Sequence, residues 1–405
     1  MPVIVQKFGG TSVADAYRVH LAARRAVRAM LGGHQVVMVV SAMGDTTDRL
    51  VQLAAEVTRR PSKREMDMLL ATGEQVSIAL VAMAIHEAGY DAISLTGAQI
   101  GMVTDSRHTE ARIRSIAVDR IRRLLDQGKI VIAAGFQGVD PDFNITTLGR
   151  GGSDTTAVAL AAAMRAEVCE IYTDVDGVFT IDPRLVPTAR RIAQIGYDEM
   201  LELAGLGAGI VHARAVELGK RYGVPIRVRS SFTDNPGTLI MDATPGMEDL
   251  AVRGCTLRRD VSRITLIGLP NEAGMEADIF AQLARRNVSV DDIIQTVSDA
   301  GRKTQIAFTV AGEATGEGQA VAELVASRCP GAQVAVDTEL ARLSLVGLGM
   351  RSHSGVAARL FGALAAAGVN VENISTSEIV ISVLVRSTMA ERALAAVQAA
   401  FELAD

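Results

Sequence analysis

The sequence predicts an α/β protein: a three-layer αβα sandwich around a mainly parallel sheet, followed by a smaller unit that occurs twice. Three observations carry this. From residue 1 to about 230, short β-rich apolar runs alternate with helical stretches rich in Ala, Leu and Arg, the pattern of strands joined by crossover helices. Gly-rich turns fall where strands end, and in open parallel sheets ligands collect beyond those carboxyl ends. After Asp242–Asp249, which reads as a linker through its Pro245-Gly246 pair, a βαββα pattern begins and then repeats.

Val3-Ile4-Val5-Gln6 opens the first strand, and Gln35–Val40, Ala92–Leu95, Ile130–Ala134, Cys169–Tyr172 and Ile226–Arg229 read as the strands that follow. Between them Val19–Leu31, Glu74–Ala88, Ala111–Gln127, Thr155–Met164 and Ala213–Tyr222 carry helical periodicity. Phe232 to Gly237 reads as a turn.

Beyond the linker, strand Arg263–Leu269, helix Ala277–Arg286 and strand Val288–Ile294 are echoed by strand Arg342–Leu348, helix Val356–Ala367 and strand Val369–Ile374. Both copies place a Gly-rich turn between first strand and helix, Gly268 to Gly274 and Gly347 to Gly355, and both continue with a strand (Thr304–Val310, Glu378–Val385) and a helix (Gly318–Ser327, Ala390–Phe401). The first copy closes with strand Ala332–Asp337. The second has only four residues after its last helix, so the β-like stretch Leu250–Leu257 is the candidate for its missing strand, and the copies are expected to interleave.

Composition narrows the function classes. A chain of 405 residues, 49% hydrophobic, exceeds what one core serves, so two or three domains are expected. A net charge of -5 with no Trp offers neither a basic footprint nor stacking platforms, which argues against nucleic acid as a partner. Cys169, Cys255 and Cys329 are widely spaced and form no metal-binding pattern, as expected of reduced thiols in a cytoplasmic protein. The start runs directly into a strand, and the longest apolar runs, Val36 to Val40 and Ala157 to Met164, are too short to cross a bilayer; no membrane association is expected.

Two segments carry chemistry. In Lys7-Phe8-Gly9-Gly10-Thr11-Ser12-Val13, glycines let backbone N–H groups approach an anion, Lys7 adds a charge, and the following apolar positions suggest a helix whose N-terminus faces the same spot. An ordinary strand-to-helix turn would also use the glycines. In Thr147-Leu148-Gly149-Arg150-Gly151-Gly152-Ser153-Asp154-Thr155-Thr156, Ser153, Asp154 and Thr155 suit a helix N-cap, but capping requires neither Arg150 nor three glycines. Two such loops, each with its own cation, point to a split phosphate site. Neither is a Walker A motif, and the protein-kinase H-R-D and D-F-G motifs are absent.

Together with Val39-Val40-Ser41-Ala42-Met43, Thr72-Gly73-Glu74 and Thr173-Asp174-Val175-Asp176-Gly177, these segments resemble the signature set of aspartate kinases in the amino acid kinase superfamily. The likeness covers nearly the whole chain. The two C-terminal copies resemble ferredoxin-like βαββαβ ACT domains, the tandem, interleaved amino-acid sensors of that family, and the chain stops after them as in the monofunctional type. The implied domains are 1-245 for the amino acid kinase fold, 263-338 for the first ACT domain, and 250-257 with 342-405 for the second.

The resemblance implies transfer of the γ-phosphoryl of ATP to the β-carboxylate of L-aspartate, with Mg²⁺ bridging nucleotide phosphates and no dedicated protein metal cage. The chemistry fits the residue types. A carboxylate is ionised at neutral pH and needs no general base, and none of the six histidines lies in the Gly-rich motifs. Its obstacle is repulsion from phosphate, about 4 kcal/mol per unit-charge pair at 4 Å and an effective dielectric of 20. By the same likeness Lys7 touches the transferring phosphoryl, Asp154 positions the catalytic groups, and Gly9 and Gly10 approach the phosphates. Arg150 suits a bidentate pair with a substrate carboxylate. Ser41, Thr47, Glu74, Gly152 and Ser153 complete the substrate pocket, Glu74 receiving the α-amino group; a first-turn helix carboxylate would be its plainer role. Thr173, Asp174, Phe179, Asp182, Arg184 and Gly209 line the nucleotide pocket. One departure stands out: where many members carry Lys in a Gly-Ala-Lys segment, this chain has Gly207-Ala208-Gly209, so backbone N–H groups or another residue are expected to replace that cation.

Feedback by lysine, threonine or both follows from the ACT likeness, with Asn271, Gly274, Met275 and Gln295 of the first copy and Val356, Asn370, Val371, Ser377 and Glu378 of the second as effector residues. Core packing is the plainer role of Val356 and Val371, and a turn that of Asn271. An exposed ACT edge strand implies a homodimer or larger assembly, and Met247 falls where some relatives start a separate regulatory subunit. Two other functions fit the same motifs: a catalytically silent amino-acid sensor, or a related kinase with another acyl acceptor.

Overall fold

The structure is a computed structural model that describes residues 1–242, 252–298, 301–348, 350 and 355–405. The predicted linker with Pro245, Gly246 and Met247, the first two residues of the predicted strand Leu250–Leu257, and Gly349 and Arg351 to Ser354 of the second Gly-rich turn lie outside the described residues. The chain divides into two compact units: Met1–Thr180 with Arg190–Met247, and Ile181–Ala189 with Glu248–Asp405.

In the first unit β1 (Val3–Phe8) leads through a 3₁₀ turn at Gly10–Val13 to α1 (Ala16–Leu31). Asp15 caps α1 by accepting the Arg18 N–H at 2.8 Å, and Val19, Ala22, Ala23, Ala26 and Val27 form its buried stripe at helical spacing. The expected helix N-terminus beside Lys7 is therefore displaced: the turn intervenes and Asp15 occupies the helix start. β2 (Gln35–Val40), α2 (Thr46–Val57) and α3 (Lys63–Glu87) follow. Five of six residues in β2 are buried, as in a strand covered on both faces.

Helix α3 starts eleven residues before the predicted Glu74. The Thr72-Gly73 pair is not a break, because a Cβ on Gly73 would lie 2.8 Å from the Ala42 Cβ, so this glycine serves close packing inside the helix. At 25 residues α3 is long and apolar enough to cross a membrane, yet Leu70, Ile78, Val81 and Ile85 are buried inside the unit, as in a core helix.

β3 (Ala92–Leu95), β4 (Met102–Thr104), β5 (Ile113–Ile116) and α4 (Asp119–Asp126) come next. The predicted helix Ala111–Gln127 is corrected here. Within it Ile113–Ile116 is extended and pairs antiparallel with β4, and only Asp119–Asp126 is helical. β6 (Ile130–Ala134), β7 (Gln137–Val139), β8 (Ile145–Thr147), α5 (Gly152–Met164), β9 (Val168–Thr173), β10 (Gln194–Gly196), α6 (Tyr197–Leu203), α7 (Ala213–Tyr222), β11 (Ile226–Ser230) and β12 (Thr238–Met241) complete the unit.

Its main sheet has the order β10-β12-β11-β9-β1-β2-β6-β3, and only the β11–β12 pair is antiparallel. Residues of α1 and α3 share one core cluster with Ile4, Phe8, Val36, Met38, Val40, Ile130 and Ile132 of the sheet. Helix α5 packs against β1, β2 and β9. A second sheet, β5-β4-β7-β8, carries the turn into Gly149 and Arg150.

The second unit contains one antiparallel sheet. Its strands are β13 (Gly254–Pro270), β14 (Ile293–Ser298), β15 (Lys303–Ala311), β16 (Gln333–Val346), β17 (Asn373–Thr376) and β18 (Val380–Arg386), in the order β14-β15-β13-β16-β18-β17. Helices α8 (Met275–Arg285), α9 (Thr315–Ala326), α10 (Gly355–Ala366) and α11 (Ala390–Phe401) occupy the positions the repeat predicts. Predicted strands that looked separate are continuous. The first half of β13, Gly254–Arg258, pairs with Arg342–Val346 of β16, while its second half pairs with Gln333–Asp337 and with β15. Arg258-Arg259-Asp260, between those two predicted strands, forms an irregularity within β13, where the register shifts. The predicted strands Val288–Ile294 and Val369–Ile374 begin later, at Ile293 and Asn373.

Candidate active site

Lys7 lies at the carboxyl end of β1, and Asp154 in the first turn of α5, packed beside that strand. Lys7 Nζ stands 2.7 Å from Asp154 Oδ1, with both side chains about nine-tenths buried. The His212 N–H donates to Asp154 Oδ2 at 3.3 Å. Asp154 thus fixes the ammonium from one side while the backbone holds the carboxylate from the other.

Glycines set the approach. Gly10 closes against the 41–44 loop: the Gly44 N–H donates to its carbonyl at 3.0 Å, and a Cβ on Gly10 would lie 2.8 Å from the Ala42 carbonyl oxygen. Gly151 caps α5 with φ 67° in the left-handed region, and a Cβ there would overlap the His212 ring. Gly151→Ala is expected to destabilise the first unit by about 2–3 kcal/mol and to lower its calorimetric melting temperature; an unchanged melting profile would contradict this packing.

These elements enclose a cavity of about 810 Å³. Lys7, Gly10, Ser41, Thr47, Glu74, Arg150, Gly152, Ser153 and Asp154 all line it, so the structure gathers every substrate residue expected from sequence. Glu74 does not occupy a first helical turn. It lies in mid-α3 on the buried stripe, 3% exposed, where Oε1 accepts the Ala42 N–H at 3.1 Å and Oε2 has no hydrogen-bond partner among the described residues. Burial pushes its pKa up from 4.5 to about 7, against the opposing pull of its backbone hydrogen bonds. Arg150 is exposed and has no ion-pair partner among the described residues.

Some lining residues escaped the sequence reading. Thr109 and Phe136 border the cavity with left-handed φ of 72° and 69°, uncommon for residues with a Cβ. Buried Asp67 holds the Thr109 loop by accepting the Thr109 N–H at 3.0 Å, Thr147 Oγ1 at 2.5 Å and His108 Nδ1 at 2.7 Å. Asp67 lies seven residues before Glu74, on the same helix face, which was the available signal. His212 left only the hint of its position beside Gly209.

The residues expected around the nucleotide are placed less compactly. Thr173 ends β9 and its Oγ1 donates to Asp174 Oδ1 at 3.0 Å. Phe179 pairs with Arg191 in the first unit. Gly9 donates its N–H to the Tyr172 carbonyl at 3.3 Å. Asp182 and Arg184 pair with each other at 2.7 Å in a segment that clusters with the second unit. Gly209 follows a π-turn at Ala204–Ala208 with φ 56°, a conformation that disfavours lysine.

In the second unit, Gln295 Nε2 donates to Glu276 Oε1 at 2.9 Å, which draws β14 to the start of α8, where Gly274 and Met275 lie. Asn271 Nδ2 donates to the Gly301 carbonyl at 2.8 Å. Val356 is buried with Leu360 and Leu364 of α10, Asn370 and Glu378 are exposed, Val371 is half-buried, and Ser377 shapes the turn into β18 by accepting the Val380 N–H at 3.1 Å.

A cation and carboxylate between two glycine loops on a mainly parallel sheet define a phosphotransferase fold, and residues 2–230 match the model of the amino acid kinase family, with residues 343–401 matching an ACT domain. The chain is 51% identical over 405 residues to an aspartokinase of Geobacillus stearothermophilus, covering 100% of this chain and 98% of that protein. It resembles E. coli aspartokinase III in complex with aspartate and ADP (TM-score 0.80, 28% identity, 98% of this chain and 99% of that one). It also resembles the same enzyme in complex with lysine and aspartate (TM-score 0.81, 28% identity, 99% of each chain). The chain belongs to the amino acid kinase family, in its aspartokinase branch.

Proposed function

We infer that the chain uses ATP to phosphorylate the β-carboxylate of L-aspartate, giving 4-phospho-L-aspartate and ADP, the entry to lysine, threonine and methionine synthesis. The observation that carries this is the buried Glu74 Oε2, in one cavity with the Lys7–Asp154 pair and with Arg150, where among the described residues Oε2 has no hydrogen-bond partner and Arg150 no ion pair. An α-amino acid with a side-chain carboxylate matches that set. Its ammonium satisfies Glu74, a carboxylate takes the Arg150 fork, and Ser41, Thr47, Ser153 and the Gly152 backbone supply hydrogen bonds. A β-carboxylate oxygen then attacks the γ-phosphorus as the bond to ADP breaks. Lys7, held by Asp154, offsets the charge gathering on the phosphoryl group, and the Gly9 and Gly10 backbone lies along it.

The likeness to the family assigns the rest of the nucleotide to Thr173, Asp174, Phe179, Asp182, Arg184 and Gly209. Mg²⁺, as the family likeness implies, would be carried on the nucleotide phosphates with at most one or two protein carboxylates, supplying charge neutralisation there. The domain bounds in this reading are those expected from the sequence, 1-245, 263-338, and 250-257 with 342-405, and a cytoplasmic location is part of it. Asn271, Gly274, Met275, Gln295, Val356, Asn370, Val371, Ser377 and Glu378 are the effector residues in this reading, with lysine tested first because aspartokinase III of E. coli was solved with it. Both outer strands of the second sheet expose apolar side chains, Ile293 and Val297 on β14 and Ile374 on β17, which supports a homodimer or larger assembly through these edges.

An ATP-dependent hydroxamate assay with aspartate, glutamate and acetylglutamate tests the reaction. Product is expected with aspartate. None with any acid would leave a silent sensor, and product only with another acid would move the substrate assignment. Lysine and threonine, added singly and together, are expected to lower the rate.

A further inference from the structure

A second groove, of about 580 Å³, opens on the far side of the Gly149-Arg150 turn, lined by Arg107, Arg112, Arg150, Arg214 and Arg221. Among the described residues two carboxylates, Glu110 and Glu217, line it with them, leaving a surplus of three positive charges in a chain whose net charge is -5. Among the described residues Arg107, Arg112, Arg150 and Arg221 have no ion-pair partner. Arg214 spends its guanidinium on the Leu148 and Ala111 carbonyls at 3.0 and 2.9 Å, and burial, with Arg112 close by, holds its pKa below the usual arginine value.

The cluster is also built. Asp105 accepts the backbone N–H of Arg112 at 3.0 Å and of Arg107 at 3.4 Å, fixing the loop that presents both side chains. Arg214 and Arg221 stand seven residues apart on one face of α7. His212, also on the wall, has a buried Nδ1 without a hydrogen-bond partner among the described residues. Five guanidiniums against two lining carboxylates repel one another, and an oxyanion that takes their forks relieves that repulsion. The groove's volume falls in the range of ligand pockets, about 300–1,000 Å³, ample for several linked phosphate groups.

We propose that this groove binds a polyphosphate-type oxyanion and, through Arg150 on the shared wall, weakens aspartate binding next door. The binding half stands on the groove alone; the coupling half rests on the assignment of Arg150 to a substrate carboxylate.

The test uses the full chain with a non-hydrolysable ATP analogue saturating its site. Calorimetry with tripolyphosphate should show saturable binding, tighter than that of inorganic phosphate. The Arg107→Ser/Arg221→Ser variant, in two exposed residues outside the reaction cavity, should weaken it at least tenfold and leave kcat and KM unchanged in its absence. No saturable binding, equal affinity in the variant, or displacement of the ATP analogue would overturn the site. Tripolyphosphate should raise the KM for aspartate in the native chain and not in the variant. Binding lost in the variant while the native KM never moves would overturn the coupling and leave the reaction assignment intact.

Discussion

Lys7→Ala is expected to lower kcat about 10²- to 10³-fold, the range for removing one preorganised charge from a site where charge develops. The attacking carboxylate meets a phosphate across repulsion of about 4 kcal/mol per charge pair, and Lys7 is the one lysine lining the cavity. Lys7 is fixed at 2.7 Å from Asp154, so its ammonium is placed before substrate arrives. The variant carries a second consequence. Asp154 becomes a buried carboxylate without its cation, a loss of about 3 kcal/mol or more in stability. Adding Asp154→Asn removes that stranded charge, so the double variant should recover melting temperature without recovering turnover. Amino-acid binding to the second unit should survive in both. Near-normal turnover in Lys7→Ala by the hydroxamate assay would contradict the assigned role.

How legible this site was depends on the distance over which each signal acts. Lys7 and Asp154 announced themselves through their neighbours, because glycine, lysine and hydroxyl residues beside a strand end restrict backbone and charge locally. That their side chains touch was not legible, since the contact depends on α5 packing beside β1. Glu74 could be picked out but not located: Thr72-Gly73 looks like a helix break until Ala42 is seen against Gly73. Ile113 and Ile116 are three residues apart, a helical spacing, so the sequence did not separate this strand from the helix after it; the pairing with β4 that extends it is tertiary. Arg258-Arg259-Asp260 hid the continuity of β13 because an irregular register admits polar residues into a strand. Asp67 and His212 act through tertiary contacts, on the Thr109 loop and on Asp154, and the sequence marks only their positions, seven residues before Glu74 and beside Gly209.

The burial of Glu74 sets the other large effect, and its sign follows from which form is favoured. Its pKa in the free protein is raised to about 7, so the protonated form is favoured by folding. That contribution, about 3 kcal/mol for a shift of this size, is fully present below the ordinary pKa of 4.5 and is lost as pH rises through 7. A substrate ammonium reverses the balance, since beside it the carboxylate is the favoured form. Aspartate binding should therefore expel a proton below pH 7, and the dissociation constant should rise about tenfold from pH 8 to pH 6, approaching tenfold per unit below that. Measured by calorimetry without nucleotide, the effect is free of phosphate titration, and the proton appears as a buffer-dependent heat. Glu74→Gln keeps the shape but cannot ionise. It should weaken aspartate about 10²-fold at pH 8, as for truncating a buried charged pair, and flatten the pH dependence. A native profile that stays level between pH 5.5 and 8, or a variant that keeps the slope, would remove Glu74 as the ammonium's partner. Retention of tight binding by Glu74→Gln would point instead to Arg150 and the hydroxyl groups as the whole of recognition.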